Sequence, residues 1–411
     1  MNLLHIRARS LALLFFRKIF YNPITMRISF YTLGCKANQA DNQLIQRTAA
    51  QLGWQIVNYG NECDYCVVNI CAVTHGAEQR SRQMLRAAKN NAAKVIASGC
   101  YIEKIPEIDL YFQTPQEVVD YLKNIFQGES LPQPRARTRA AIRIQDGCNF
   151  NCSYCLIHKI RGKSKSRPTD EIINEIKHLE TQNYKEVILT GINIMQYADI
   201  NGLLKRIINE TEIPRIRLGS VDPRLVTDDF LNLFLNKRLL PHLHLSLQSG
   251  SDRILKLMNR HYTADQYLDL IERARKIDPL FSFTTDIIVG FPKENNEDMR
   301  ASADIIKKAQ FTKVHLFPYS PRPGTAAAKI KEKINPQKIK LSMDYLGQVA
   351  RDTRKKWLKR YIGKSMTILI EEKTGPAWQG YAPYYFKTHI HSLENLQNKI
   401  ISTPINLDNI Y

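Results

Sequence analysis

Short apolar runs and longer stretches of helical periodicity alternate along this chain. From residue 26 to about 128, apolar runs at 28–32, 66–70 and 94–98 are separated by helical patterns at 39–52 and 75–90. Runs of that length joined by crossover helices are the pattern of buried parallel strands, so a small parallel α/β sheet domain is expected over 26–130. The alternation resumes with strands expected at 140–144, 187–190, 215–219, 242–247, 284–289 and 313–318. Six parallel strands with intervening helices imply a partial, TIM-like (β/α)6 barrel over 136–360, with ligands at the carboxyl ends of the strands. A helix over 336–360 closes that span, and several short strands from 362 onward read as a small β-barrel over 361–411.

Two segments stand outside this rhythm. Leu131-Pro132-Gln133-Pro134, followed by Arg135, Arg137 and Arg139, has the composition of an exposed, basic domain boundary. Residues 1–25 carry basic but no acidic side chains; this resembles a transit peptide, but a translation start at Met26, directly before the first strand, is the simpler expectation. The best apolar run there, 11–16, is short and flanked by Arg7, Arg9, Arg17 and Lys18, so no membrane partner is expected.

Charge adds a partner class. With 59 basic against 39 acidic side chains the formal charge is +20, which favours a polyanion such as nucleic acid. Arg351, Arg354, Lys355, Lys356, Lys359 and Arg360 concentrate it on the helix before the tail. The eight cysteines among 411 residues are too sparse for a disulfide scaffold, and their local spacing suggests metal ligation in a reducing compartment, the cytoplasm.

Cys148, Cys152 and Cys155 form C-x-x-x-C-x-x-C directly after an expected strand. Three thiolates from one compact loop can bind three irons of a [4Fe–4S] cluster, leaving the fourth iron open for the amino and carboxylate groups of S-adenosylmethionine (SAM). One-electron reduction of the sulfonium then yields a 5′-deoxyadenosyl radical. A structural zinc knuckle is the alternative, although zinc normally takes four ligands.

This triplet, with Tyr154 before its last cysteine, resembles the signature of the radical SAM superfamily. The resemblance continues along the barrel. Leu189-Thr190-Gly191 stands where the family places a strand end whose backbone, at Gly191, meets the methionine amino group. Leu218-Gly219-Ser220-Val221-Asp222-Pro223 is similar to the family's R-L-S-S-x-E-P strand, with Ser220 and Asp222 at positions that would face SAM; Asp222 is shorter than the usual Glu at the ribose contact. The runs Leu247-Gln248-Ser249-Gly250-Ser251-Asp252, Met258-Asn259-Arg260 and Thr285 to Pro292 are similar to the methylthiotransferase branch. They imply SAM contacts at Gln248, at Arg260 through the carboxylate, and at Gly290 and Pro292 through backbone beside adenine.

Cys35, Cys71 and Cys100 each follow an expected strand, and parallel strand ends meet on one edge, so the three thiolates suit a second open cluster. Their segments resemble the methylthiotransferase N-terminal domain, which implies two [4Fe–4S] clusters, the second carrying or activating the inserted sulfur. Cys63 and Cys66 form a C-x-x-C outside those positions and are expected to be structural. No catalytic acid–base pair stands out.

Leu33-Gly34-Cys35-Lys36-Ala37-Asn38-Gln39 resembles the branch that modifies C2 of N6-threonylcarbamoyladenosine beside the anticodon of tRNA. Gly380-Tyr381-Ala382-Pro383-Tyr384-Tyr385-Phe386 is similar to that branch's C-terminal TRAM domain, whose aromatic side chains would stack bases while the basic helix meets phosphates. The partners implied are the tRNA anticodon stem-loop and an electron donor such as flavodoxin or ferredoxin. The same chemistry on isopentenyladenosine or a ribosomal protein, and more distantly a non-catalytic zinc-stabilised RNA-binding protein, are the alternatives.

Overall fold

Five parallel strands build the first sheet: β1 (Arg27–Thr32), β2 (Gln55–Val57), β3 (Cys63–Ile70), β4 (Ala92–Gly99) and β5 (Leu110–Phe112), in the order β2-β1-β3-β4-β5. The computed structural model describes residues 26–100, 105–125 and 138–410; the extension over 1–25 and the boundary at 131–137 lie outside the described residues. The chain divides into two compact units, one drawn from 1–33, 41–71 and 79–134, the other from 34–40, 72–78 and 135–411.

In the first unit β3 is buried through Val67, Val68 and Ile70, as a central parallel strand must be. Ile28, Ile45, Trp54, Ile96 and Leu122 share its core, each large side chain contributing roughly 1.5–3 kcal/mol on burial. Thr32 pairs with Asn69 and Ile70 with Gly99, so β1, β3 and β4 end side by side. The three-residue edge strands β2 and β5 were absent from the sequence expectation, because they are only partly buried and lack a continuous apolar run.

The second unit holds β6 (Arg139–Arg143), a short antiparallel pair β7 (Gln145–Asp146) and β8 (Lys165–Ser166), and then β9 (Glu186–Thr190), β10 (Arg215–Leu218), β11 (Ser220–Val221), β12 (His242–Leu245), β13 (Ser282–Val289) and β14 (Lys313–Pro318). The parallel orders are β10-β9-β6 and β11-β12-β13-β14. Only Gly219 separates β10 from β11; its N–H donates to the Leu189 carbonyl at 2.8 Å, so the two sheets act as one run of six strands. This is the partial (β/α)6 barrel of the sequence expectation. Its helices are stopped and started by local chemistry, as where Asn295 and Asp298 cap the helix Asn296–Ala309 reciprocally.

Alternate residues of these strands face opposite ways. Val187, Leu189, Ile216, Leu218, Leu243, Leu245, Phe283 and Ile287 join the helices in one core. The positions between them, Arg139, Glu186, Arg215, Arg217, His242, His244, Thr284, Asp286 and His315, give the barrel a polar, charged inner face. At the amino ends Glu186 is fully buried, with Arg217 Nε and Arg215 Nε each donating to it at 2.8 Å and Arg139 forming an ion pair with it at 3.8 Å.

The remaining strands, β15 (Ser365–Thr374), β16 (Ala377–Tyr381), β17 (Lys387–His391) and β18 (Ile400–Pro404), form a curled antiparallel sheet in the order β17-β16-β15-β18, consistent with a small barrel. It lies under the amino ends of the barrel strands, where Arg215 and Arg217 donate to the carbonyls of Thr367, Tyr381, Ala382 and Pro383.

Candidate active site

The loop after β6 carries Cys148, Cys152 and Cys155 and is held by backbone. Gly147 sits at φ +71°, where a Cβ would lie 2.1 Å from the Lys163 carbonyl oxygen, so only glycine permits the entry. The Cys148 N–H donates to the Gly162 carbonyl at 3.0 Å, the Cys155 N–H to that of Cys152 at 3.0 Å, and the Ser153 N–H to that of Met258 at 3.0 Å. Gln196 donates to the Cys148 sulfur at 3.6 Å, the Ile157 N–H to Cys155 Sγ at 3.4 Å, and Arg260 Nη1 to Cys152 Sγ at 3.7 Å. Burial pushes the Cys148 thiol up, and burial with the fields of Cys152 and Cys148 pushes Cys155 up to about 12. With Cys152 between them in the loop, these sulfurs form a donor set whose burial a cation would offset.

Around this loop the expected residues sit at the carboxyl ends of successive strands. Gly191 follows β9; a Cβ there would meet the Gln145 carbonyl at 2.7 Å. Ser220 lies in β11 opposite His244. Gln248, at φ +71°, links β12 to β13: its N–H donates to the Asp286 carbonyl at 2.8 Å and its carbonyl accepts from Ile288 at 2.9 Å. A non-glycine residue held left-handed stores roughly 1–3 kcal/mol of strain, a feature that gathers at functional sites. Gly290 ends β13 at φ +79°, and the space of its absent Cβ is taken by Ile339, whose Cγ1 would be 2.5 Å away; helix packing thus joins the turn in requiring glycine. Pro292 is buried in the same turn.

Asp222 is engaged on two sides. Arg224 grips it through Nε at 2.8 Å and Nη2 at 2.7 Å, and Arg260 Nη1 reaches it at 3.1 Å. Burial works to raise this carboxyl, but the Arg224 hydrogen bonds and the Arg260 charge outweigh it and hold the group ionised. The Arg224 guanidinium also lies 3.5 Å from the ring centroid of Phe150 inside the cysteine loop.

In the first unit Cys71 follows β3 and Cys100 follows β4 at once; both are buried, and neither is in a disulfide. Ser81 anchors the Cys71 turn, accepting from its N–H and donating to its carbonyl, both at 3.0 Å. Cys35 stands after β1 in the segment 34–40, which groups with the second unit, and is exposed. Cys63 and Cys66 occupy the opposite half of β3: Cys63 Sγ lies 3.2 Å from Ser29 Oγ, and burial pushes the Cys66 thiol up to about 11.

Comparison with known proteins joins the two regions. Residues 142–306 match the Radical SAM superfamily model and residues 27–120 match that of Uncharacterized protein family UPF0004. A Chlamydia pneumoniae protein named threonylcarbamoyladenosine tRNA methylthiotransferase MtaB is 36% identical over 86% of this chain and 89% of its own length. The chain belongs to the radical SAM methylthiotransferases. A Thermotoga maritima protein of the same name is 33% identical over 88% and 90% of the two chains, and a Fervidobacterium nodosum tRNA-2-methylthio-N(6)-dimethylallyladenosine synthase is 29% identical over 94% of each. Among solved structures the radical SAM methyltransferase TsrM of Kitasatospora setae shares the fold with a TM-score of 0.54, at 13% identity over 74% of this chain and 77% of that one.

Enzymes of this family use SAM and two [4Fe–4S] clusters. The residues present fit such groups: the Cys148 loop offers three thiols and no fourth, and a buried, fork-shaped Arg260 stands beside it. Among the described residues no helix is long and apolar enough to cross a membrane.

Two features of the methylthiotransferase differ from the sequence reading. Phe386 is buried against Tyr361, 4.7 Å between centroids, and Tyr384 donates to Asp278 at 2.9 Å. Tyr385 stacks on His242 at 4.4 Å, and Tyr381 packs under Arg139 at 4.3 Å. Phe386 is thus core, and the half-buried Tyr381, Tyr384 and Tyr385 also help to seat the tail sheet beneath the barrel. On the helix Pro336–Leu358 and the turn after it, Arg351, Lys355, Lys356, Lys359 and Arg360 are exposed, whereas Arg354 is half-buried and donates to the Thr312 carbonyl at 2.8 Å.

Sequence reading also missed the inner wall. His244 Nε2 lies 3.2 Å from Asp286 Oδ2, and with His315 their polar atoms fall within 4.8 Å of one another. The alternation in His242-Leu243-His244-Leu245 and Arg215-Ile216-Arg217-Leu218, polar on one face and apolar on the other, was the available signal.

Proposed function

We propose that this enzyme adds a methylthio group to C2 of N6-threonylcarbamoyladenosine beside the anticodon of tRNA. The observation that carries the reading is the pair of cysteine trios following parallel strands, in a chain 36% identical to a protein named for that reaction. The charge of +20 and the exposed basic side chains near the end of the helix Pro336–Leu358 support an RNA substrate.

Cys148, Cys152 and Cys155 would hold one cluster, and Cys35, Cys71 and Cys100 the other. Bound there, the first cluster with SAM supplies methyl transfer and radical chemistry, and the second supplies the sulfur. The chain's own residues bind and orient. Arg260, fixed by Asp222, presents its guanidinium beside the Cys152 sulfur, where a carboxylate of SAM would be met in a fork. Gly191, Ser220, Gln248, Gly290 and Pro292 offer backbone and small side chains along the strand ends. Tyr262, buried, and Tyr154, partly buried, limit water where a carbon radical must meet its target within near contact.

In domain terms 26–130 would carry the second cluster, 136–360 the radical chemistry and 361–411 the TRAM-like RNA contact. A reducing cytoplasm with flavodoxin or ferredoxin as electron donor suits this chemistry. Nucleoside mass spectrometry of tRNA from a deletion strain tests the reading: the methylthio form of threonylcarbamoyladenosine should vanish and return on complementation. Loss of methylthio-isopentenyladenosine instead, or an unchanged tRNA profile with a ribosomal protein unmodified, would replace it.

A further inference from the structure

The inner face of the barrel holds one ammonium without a counter-ion. Among the described residues Lys36 forms no ion pair; its Nζ lies 4.8 Å from the centroid of the Tyr385 ring. The other cations of that wall are engaged. Arg217 and Arg215 share Glu186 and fill their remaining donors with carbonyls, and Arg139 bridges Glu186 and Glu371. An ammonium offers three donors, and removing it from water without a negative partner is unfavourable.

A second group on the wall has donor capacity left, although its polar atom lies within 4.8 Å of those of His244 and Asp286. His315 of β14 makes no hydrogen bond among the described residues, whereas its neighbour His244 is occupied on both nitrogens, by Thr284 at 3.0 Å and Asp286 at 3.2 Å. The two lie along one wall: the Tyr385 ring under Lys36 stacks on His242 at 4.4 Å, and the His315 ring lies 6.0 Å from that of His244. That space is open: the side chains of His244 and Asp286 keep 15% and 29% of their exposure inside the barrel.

We propose that Lys36, with His315 beside it, binds the carboxylate of an acidic substituent on N6 of the target adenosine. This rests on the methylthiotransferase reading above and names what selects its substrate. In adenine, C2 and N6 lie on either side of N1, so a base whose C2 faces the strand ends can extend its N6 substituent down the barrel. A threonylcarbamoyl group brings a carboxylate to the half-buried ammonium; an isopentenyl group would leave it without an anionic partner.

The test uses the reconstituted full-length enzyme without SAM and fluorescent anticodon stem-loop RNA carrying threonylcarbamoyladenosine, either as the acid or as its carboxamide. The wild type should bind the acid about 10- to 100-fold more tightly, the range of a charge-assisted hydrogen bond. Lys36→Met should abolish that ratio and Lys36→Arg should keep part of it, with iron content and melting temperature reporting folding. A ratio retained in Lys36→Met overturns this assignment alone. Equal wild-type affinity for acid and amide overturns it without any variant, and so decides the case even if Lys36→Met does not fold. Wild-type enzyme that thiolates isopentenyladenosine RNA and neither threonylcarbamoyl form overturns the substrate reading and this assignment together.

Discussion

Arg260 Nη1 stands 3.7 Å from the sulfur of Cys152 and 3.1 Å from Asp222 Oδ2, so one guanidinium ties a cysteine of the barrel loop to a carboxylate at the end of β11. Arg260 and Cys152 are 108 residues apart in sequence. The third side of the same guanidinium, Nη2, donates to the Ser246 carbonyl at 2.9 Å, which fixes its plane.

Replacing Arg260 therefore disturbs both binding and folding. Arg260→Met leaves Asp222 buried with one arginine fewer and should lower unfolding free energy by about 3–5 kcal/mol. Arg260→Lys keeps charge without the fork and should weaken SAM binding about 10-fold or more while costing less stability. Calorimetric SAM titration and urea denaturation separate the two; unchanged SAM affinity in Arg260→Lys would count against a role in binding.

The two cysteine trios should fail differently. Substituting Cys148, Cys152 or Cys155 should abolish 5′-deoxyadenosine formation; substituting Cys35, Cys71 or Cys100 should leave it and stop thiolation. Anaerobic reconstitution should load about eight irons per chain, and about four when either trio is removed. Zinc without iron, or product formed without the second trio, would dismiss the two-cluster scheme.

Gly147→Ala tests the loop through backbone alone. The added Cβ falls 2.1 Å from the Lys163 carbonyl oxygen at a positive φ, so the loop must shift. Iron retained by the first trio and 5′-deoxyadenosine formation should both fall sharply, with about 2 kcal/mol or more of stability lost. Iron analysis of a variant already lacking Cys35, Cys71 and Cys100 isolates that effect.

Acid stability should follow Glu186. Burial works to raise its carboxyl, but Arg217, Arg215 and Arg139 outweigh burial and bring it from an ordinary 4.5 to about 2. A depressed folded pKa adds stability that is complete above the unfolded value and is lost as pH falls from about 4.5 toward about 2. The contribution near neutrality is on the order of 3 kcal/mol, and Glu186→Gln should remove it and flatten the acid limb of a stability–pH curve. An unaltered acid limb in that variant would show that Glu186 does not govern it.

What was legible beforehand was local. The spacing of Cys148, Cys152 and Cys155, the cysteines placed after β1, β3 and β4, and the alternation of apolar runs with helical periodicity all reside within a few residues of chain, where strand period and loop length suffice. Tertiary packing alone decided the rest. Phe386 became core and Tyr384 packed against it because Tyr361 and Asp278, distant in sequence, lie under the barrel; Lys36 met Tyr385 on its inner wall; and Arg260 found Cys152. Such pairings depend on which strand faces are turned inward and on contacts made across the whole fold, and no window of sequence holds both partners.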